Sequence, residues 1–185
     1  MSKPKVGLLP LYIKLYDDSW PAMRTRVDRF SQQIAAALAA QGLEVSTAPV
    51  CRVTPEFRAA IKGFERAPVD ALLTLHLAYS PSLESSAALA ATPLPIVVLD
   101  TTPTYAYGSR QNPEELLYNH GIHGVQDMCN LLLRNKKGFQ IEAGHWEKTD
   151  VLDRVAGWAR VARLARHRDE ARADRPAGVC LQEHG

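Results

Sequence analysis

Five short apolar runs, separated by stretches with helical periodicity, constrain the fold of this chain more than any other feature of its sequence. The runs cover residues 5–10, 43–48, 71–76, 95–100 and 138–143. Most are apolar nearly throughout, which is typical of strands buried on both faces of a sheet. Strands that alternate with helices predict a parallel sheet with helices on both faces. We therefore expect a doubly wound α/β fold, a flavodoxin-like or Rossmann-like three-layer sandwich with strand order 2-1-3-4-5.

The helical pattern covers residues 20–41, 82–91 and 125–133. It also predicts a helix that Thr54 could cap and a last helix that begins near Asp150. Between the fourth strand and the helix at 125, residues 101–118 form an irregular segment. A loop this long in a compact α/β unit is usually functional or disordered. We assign residues 1–148 to the α/β domain. We assign residues 149–185 to a C-terminal helix and an arginine-rich tail, expected as a solvated helix face. A fragment, a truncated gene product and a stand-alone descendant of a longer protein are all compatible with this tail.

Charge and cysteine usage exclude several classes of protein. The 185 residues include 22 Lys and Arg against 20 Asp and Glu, so the net charge of +2 excludes a strongly basic nucleic-acid binder. Cys51, Cys129 and Cys180 are too widely spaced for a disulfide framework or a CxxC metal site. No signal peptide and no run of about 18 apolar residues is present. We expect a cytoplasmic protein with no nucleic-acid or membrane partner.

Ligands of doubly wound sheets bind beyond the carboxyl ends of the strands. At the first strand the chain offers a single glycine, Gly7, and it contains no GxxxxGK[ST] segment. It therefore lacks the backbone cradle that a dinucleotide, a nucleoside triphosphate or a flavin phosphate uses. The fold favours a nucleotide binder, but the loops argue against one.

Polar side chains at these strand ends are the substrate-binding candidates. His76 closes the third strand and Tyr79 follows it; the alternative is that His76 only bonds a loop carbonyl. Asp100 and Thr101 end the fourth strand. The aspartate could bind hydroxyl groups or a metal there, or accept N–H bonds from its own loop, and the threonine adds a hydroxyl group at the same edge. Tyr105 is expected in one wall of the site, since tyrosine can both stack on a sugar and hydrogen-bond to it.

The most distinctive segment, residues 119–124, is Asn-His-Gly-Ile-His-Gly. His120 and His123 could form a metal pair on a helix, but two glycines in five residues argue against a regular helix there. Alternatively, His123 is a neutral imidazole at the start of the next helix that donates a hydrogen bond or shuttles a proton. A third interpretation is purely structural: Asn119 is the N-cap of the next helix, and the two glycines form a turn. After the fifth strand, His145 and its neighbours form either a sugar subsite or an exposed loop.

From Val6 to about Trp146 the chain resembles the N-terminal domain of the L-fucose/L-arabinose isomerase-like family. The segments that carry the resemblance are residues 73–81, 95–101 and 119–124. It implies metal-dependent interconversion of an aldose and a ketose, with a manganese-type ion held by residues of later domains. No metal ligand is assigned in this chain. The resemblance makes Asn119 substrate-facing and His123 catalytic, reaching the active site of a neighbouring subunit.

We therefore expect the N-terminal domain of a sugar isomerase-like protein in carbohydrate metabolism, supplying substrate-facing and subunit-contact residues. The alternatives are a non-catalytic sugar or small-ligand binding module and a structural remnant without a ligand. The expected partners are a sugar, downstream catalytic domains and further copies of the chain. We expect the helix with Leu152, Val155 and Trp158 to expose an apolar surface for association. Whether the chain alone is an enzyme stays open, and we expect no isomerase activity from it with manganese.

Overall fold

A computed structural model describes residues 2–173 and confirms the predicted α/β class. Its five strands are all parallel and lie in the order β2-β1-β3-β4-β5, the doubly wound order that the sequence predicts. The strands are β1 (Lys5–Leu11), β2 (Glu44–Thr47), β3 (Ala71–His76), β4 (Ile96–Asp100) and β5 (Gln140–Ala143).

Seven helices connect and cover the strands within the described residues: α1 (Lys14–Ser19), α2 (Pro21–Ala40), α3 (Thr54–Arg66), α4 (Ser82–Ala91), α5 (Glu114–Tyr118), α6 (Gly121–Arg134) and α7 (Val151–Ala173). The two short helices, α1 and α5, are not in the sequence-based assignment. No helix among residues 2–173 is long and apolar enough to cross a membrane.

One hydrophobic core lies on each face of the sheet, because alternate strand side chains point to opposite faces. Leu73 and Leu75 of β3 belong to the core under α2 and α7, whereas Leu72 belongs to the core under α3, α4 and α6. The three central strands, β1, β3 and β4, are therefore buried on both sides, which explains why they read as continuous apolar runs. The edge strands β2 and β5 are mostly exposed. This arrangement is the expected three-layer sandwich.

Thr54 does not cap α3, contrary to the sequence-based expectation. The residue before the helix is Val53, and Thr54 is the first helical residue. The backbone N–H and the hydroxyl of Thr54 both donate to Glu84 Oε2 in α4, at 2.6 and 2.7 Å. A carboxylate from the neighbouring helix α4, and not a capping side chain of α3 itself, therefore accepts a free N–H group at the start of α3.

Helix α7 exposes apolar side chains, but only one of the three that its sequence suggests: the exposed residues are Trp158, Val161 and Leu164, at 39%, 54% and 57%. Leu152 and Val155 are buried in the core shared with α2, and Trp158 alone of the three predicted residues is partly exposed. The prediction is wrong for Leu152 and Val155, because the sheet covers the face of the helix that carries them. An association surface on α7 could not include those two side chains.

The arginine-rich end is more than a solvated helix face. Arg166 and Arg163 lie 2.8 and 3.7 Å from the carboxylate of Asp70, whose side chain is fully buried. Asp70 also accepts the backbone N–H of Lys5 at 2.7 Å. A buried carboxylate needs such partners to offset its lost hydration, so these arginines fix α7 to the amino end of the sheet. The tail beyond residue 173, including Cys180, lies outside the described residues.

Candidate functional site

The turn after β3 holds His76 inside the protein. Its Nδ1 lies 2.7 Å from the hydroxyl oxygen of Ser80, so its partner is a side chain and not a loop carbonyl. Ala78, in the middle of the turn, has a left-handed φ of 51°. Burial lowers the pKa of His76 to about 3, which keeps the ring neutral near pH 7. His76 Nε2 is buried and has no hydrogen-bond partner among residues 2–173.

Two glycines allow α6 to pack directly on this turn. A Cβ on Gly121 would lie 2.7 Å from the carbonyl oxygen of His76. A Cβ on Gly124 would lie 2.9 Å from His76 Nδ1 and would overlap the hydroxyl of Ser80. Helix α6 begins at Gly121 and runs through Gly124, so the expectation that these glycines prevent a regular helix is wrong. They serve close packing of a helix on a turn.

Tyr79, His120 and His123 form a separate cluster on the outer side of this region. The ring centroids of His120 and His123 are 3.9 Å apart, and the Tyr79 ring lies 6.1 Å from His120. Tyr79 donates its hydroxyl to Asp127 Oδ2 at 3.3 Å. Burial and the neighbouring His123 lower the pKa of His120. His123 is exposed, at the start of α6.

A cavity of about 340 Å³ lies beyond the carboxyl ends of β4 and β5. Three sequence-predicted residues line it together, Asp100, Thr101 and Tyr105, whereas His76, Tyr79 and His123 do not. The full lining is Asp100, Thr101, Thr102, Tyr105, Ile122, Ala143, Gly144 and His145. Its volume falls at the small end of the range of about 300–1,000 Å³ that is usual for small-molecule sites.

The carboxylate of Asp100 is half-buried in this cavity, and burial raises its pKa. No side chain or backbone group among the described residues donates a hydrogen bond to it, so the alternative in which its own loop satisfies it is not realised. Thr101 accepts the backbone N–H of Trp146 through Oγ1 at 3.0 Å, which ties the loop after β5 to the end of β4. The hydrogen of the Thr101 hydroxyl remains available to donate.

His145 is the residue that the sequence-based set of binding residues lacks. It follows Gly144, where a Cβ would overlap the hydroxyl of Thr149, so a side chain at 144 would disturb the turn. The carbonyl oxygen of His145 accepts the backbone N–H and the hydroxyl of Thr149 at 3.0 and 2.9 Å. The backbone N–H of Glu147 donates to His145 Nδ1 at 3.2 Å. The only sequence signal was a histidine directly after a strand end.

Asn119 uses its amide group within the chain. Its Oδ1 accepts the backbone N–H of Thr104 at 2.9 Å, and its Nδ2 donates to Thr104 Oγ1 and the carbonyl oxygen of Glu115 at 3.1 and 2.8 Å. The residue is buried. In this structure Asn119 therefore fixes the loop that carries Tyr105 against α5.

A larger hollow, of about 570 Å³, lies at the opposite, amino end of the sheet. Its two arginines are already engaged, because Arg160 donates to the carbonyl oxygen of Gln41 and Arg163 to that of Lys3. The smaller cavity at the carboxyl ends has an unsatisfied carboxylate and lies where sheets of this type bind ligands. Chemistry and topology, not size, therefore favour the cavity at β4 and β5.

A metal ion does not fit the described residues. No group of three or more His, Cys, Asp or Glu side chains within residues 2–173 is arranged to hold one. The cavity offers one carboxylate, Asp100, and the imidazole of His145, whose Nδ1 lone pair already accepts a hydrogen bond. Metal ligation by imidazole needs a free lone pair. We therefore derive no step that passes through a metal bound by these residues.

Fold and cavity together define a doubly wound α/β protein with a pocket beyond β4 and β5 that contains the carboxylate of Asp100. Comparison of the chain with models of protein families and with curated proteins finds no match to either.

Proposed function

We propose that this chain is the N-terminal domain of a sugar isomerase-like protein in carbohydrate metabolism, and that its pocket beyond β4 and β5 binds the sugar. The observation that carries the proposal is the pocket itself, which gathers Asp100, Thr101, Tyr105 and His145 at the carboxyl edge of the sheet. The resemblance of residues 119–124 and of the two strand ends to such proteins supports the choice of a sugar over other ligands.

The chemistry of the pocket suits a polyhydroxyl ligand. A sugar presents hydroxyl groups that both donate and accept, together with an apolar face of C–H groups. The Asp100 carboxylate can accept from two neighbouring hydroxyls, and the Thr101 hydroxyl can donate to a third. The Tyr105 ring can cover the apolar face. A single carboxylate with neutral neighbours suits an uncharged ligand better than a phosphate, which would meet repulsion from Asp100.

The proposal assigns the metal-dependent step to other parts of the complete protein, where a manganese-type ion would be bound. His123 is exposed at the start of α6, as a contact with a neighbouring subunit requires, and we keep it as the proposed catalytic contribution to that subunit. The proposed assembly is therefore a homo-oligomer. Cys51 and Cys129 are free and buried thiols, which suits the reducing cytoplasm that we propose as the compartment.

The alternative is a sugar or small-ligand binding module without catalysis. It is favoured by the fact that Asp100 is the only carboxylate in the lining of the pocket. Moving a proton between two neighbouring carbons calls for both an acid and a base. If no further domain supplies the second group, binding would be the whole function of this chain.

Titration calorimetry with L-fucose and L-arabinose tests the proposal. We expect Asp100→Asn to weaken binding by about tenfold, because the carboxylate loses charge-assisted hydrogen bonds to sugar hydroxyls. Asp127→Asn is the matched control, since Asp127 lies outside the pocket, and its affinity should equal that of the unsubstituted chain. Absence of binding by the unsubstituted chain, or equal affinity in both variants, would contradict the proposal.

A further inference from the structure

We infer that His145 is a ligand-binding residue, which donates a hydrogen bond from Nε2 to an oxygen atom of the bound sugar after the Tyr105 ring moves off it. This inference rests on the proposed function, because it names how the same pocket recognises its ligand. The sequence alone allows His145 to belong either to a sugar subsite or to an exposed loop. The inference makes it a hydrogen-bond donor to the ligand.

The hydrogen bond from the loop fixes which nitrogen of His145 carries the proton. Glu147 donates its backbone N–H to Nδ1 at 3.2 Å, so Nδ1 must present a lone pair. A neutral imidazole with an accepting Nδ1 has its hydrogen on Nε2. The side chain therefore offers the pocket a hydrogen-bond donor, complementary to the accepting carboxylate of Asp100.

This donor has no partner among residues 2–173. His145 Nε2 is buried, and no group in that part of the chain forms a hydrogen bond with it. The side chain as a whole is only 8% exposed, yet it lines the pocket. Buried polar groups are nearly always paired, so an unpaired one beside a cavity calls for a partner that enters from outside.

The ring of His145 is buried and accepts one hydrogen bond, whereas the ring of Tyr105 beside it is exposed and makes none within residues 2–173. Trp146 stacks near the imidazole, with centroids 6.3 Å apart and planes inclined by 29°. On the pocket side, the Tyr105 ring lies 5.3 Å from the imidazole at 79°, an edge-to-face contact. Tyr105 is itself 65% exposed and has no hydrogen bond within the described part of the chain. A side chain with so few contacts can rotate away cheaply.

The hydrogen bonds of Asn119 hold the loop in position, so the Tyr105 ring can move without it. The amide of Asn119 holds the backbone N–H and the hydroxyl of Thr104, the residue directly before Tyr105. Rotation about the side-chain bonds of Tyr105 alone would therefore uncover His145.

Nitrogen-15 NMR of the histidine rings in the full chain tests the inference, with L-fucose and L-arabinose at high-millimolar concentration as probes. We expect the Nε2-protonated tautomer of His145, and a shift of its Nε2 resonance together with the backbone amides of Asp100 and Thr101. Shifts at those amides with an unchanged His145 ring would overturn the inference and leave the proposed function standing. No shift at any of these atoms would overturn both.

Exchange of the Nε2 proton of His145 with water tests whether the Tyr105 ring shields this nitrogen. Tyr105→Ala should speed this exchange by at least about tenfold, since protection depends on what shields the proton. Tyr107→Ala is the matched control, because Tyr107 is an exposed tyrosine of the same loop that does not line the pocket. Both substitutions are at exposed side chains and should leave the fold intact. Equal exchange in the two variants would overturn the role of Tyr105.

Discussion

The hydroxyl oxygen of Ser80 lies 2.7 Å from Nδ1 of His76, inside the turn between β3 and α4. This buried pair forms the surface on which the first turn of α6 packs, through Gly121 and Gly124. The two glycines of residues 119–124, the segment that suggests a functional site most strongly in the sequence, are therefore explained by a packing contact. The same contact sets where His123 emerges from the surface.

Gly124→Ala should lower the free energy of unfolding by about 1–3 kcal/mol, the usual cost of forcing extra atoms into a well-packed site. The new methyl group would overlap the hydroxyl of Ser80 and push α6 away from the turn. Urea denaturation measures the change. Gly63→Ala in α3 is the control, because nothing lies near its added Cβ, and it should stabilise the helix by up to about 1 kcal/mol. A Gly124 variant as stable as the unsubstituted chain would refute the packing role.

His76 should make the protein less stable as the pH falls below about 6.5. Burial lowers the pKa of His76 to about 3 in the folded protein, so below its ordinary pKa only the unfolded chain binds the proton. Stability is then complete above pH 6.5 and declines towards pH 3, by up to about 1.4 kcal/mol per pH unit. Urea denaturation between pH 7 and pH 5 measures this slope before most carboxylates titrate.

The control for this pH dependence is His76→Gln, which removes the titrating ring. We expect the slope between pH 7 and pH 5 to fall by about one proton relative to the unsubstituted chain. If the unsubstituted chain and His76→Gln have equal slopes, His76 is not held neutral by burial.

Asp70→Asn should lower the free energy of unfolding by about 2–3 kcal/mol, because hydrogen bonds to a charged group contribute more than neutral ones. The carboxylate is fully buried, accepts the backbone N–H of Lys5 and forms ion pairs with Arg163 and Arg166. Thermal unfolding compares this variant with Glu65→Gln, which removes an exposed carboxylate of α3. A similar melting temperature for both would mean that Asp70 does not anchor α7.

The central strands β1, β3 and β4 could be predicted from the sequence because each is buried on both faces and must be apolar along its length. The edge strands β2 and β5 are mostly exposed, and their place in the alternation of strands and helices is what predicts them. The helices α1 and α5 could not be predicted, since six and five residues carry too little periodicity to be recognised. The start of α6 was also beyond local reasoning. Gly121 is helical because of its fit against the carbonyl of His76, a contact between residues far apart in the chain.

The same distinction applies to the candidate site. Asp100, Thr101 and Tyr105 could be predicted to lie together, because strand order alone brings the end of β4 to the carboxyl edge of the sheet. His145 depends on a turn closed by Thr149, an N–H from Glu147 and a ring from another loop. None of these partners can be recognised from a histidine after a short strand. Long-range contacts, not composition, turn this residue into a donor.

A crystal structure of the full chain soaked with L-fucose or L-arabinose would show directly whether the pocket binds a sugar. We predict a sugar in the cavity beyond β4 and β5, with a hydroxyl within hydrogen-bond distance of the Asp100 carboxylate and an oxygen atom near His145 Nε2. We also predict that the Tyr105 ring is rotated away from His145. A sugar bound elsewhere, or an empty cavity in a crystal whose lattice leaves it open, would contradict sugar binding at this pocket.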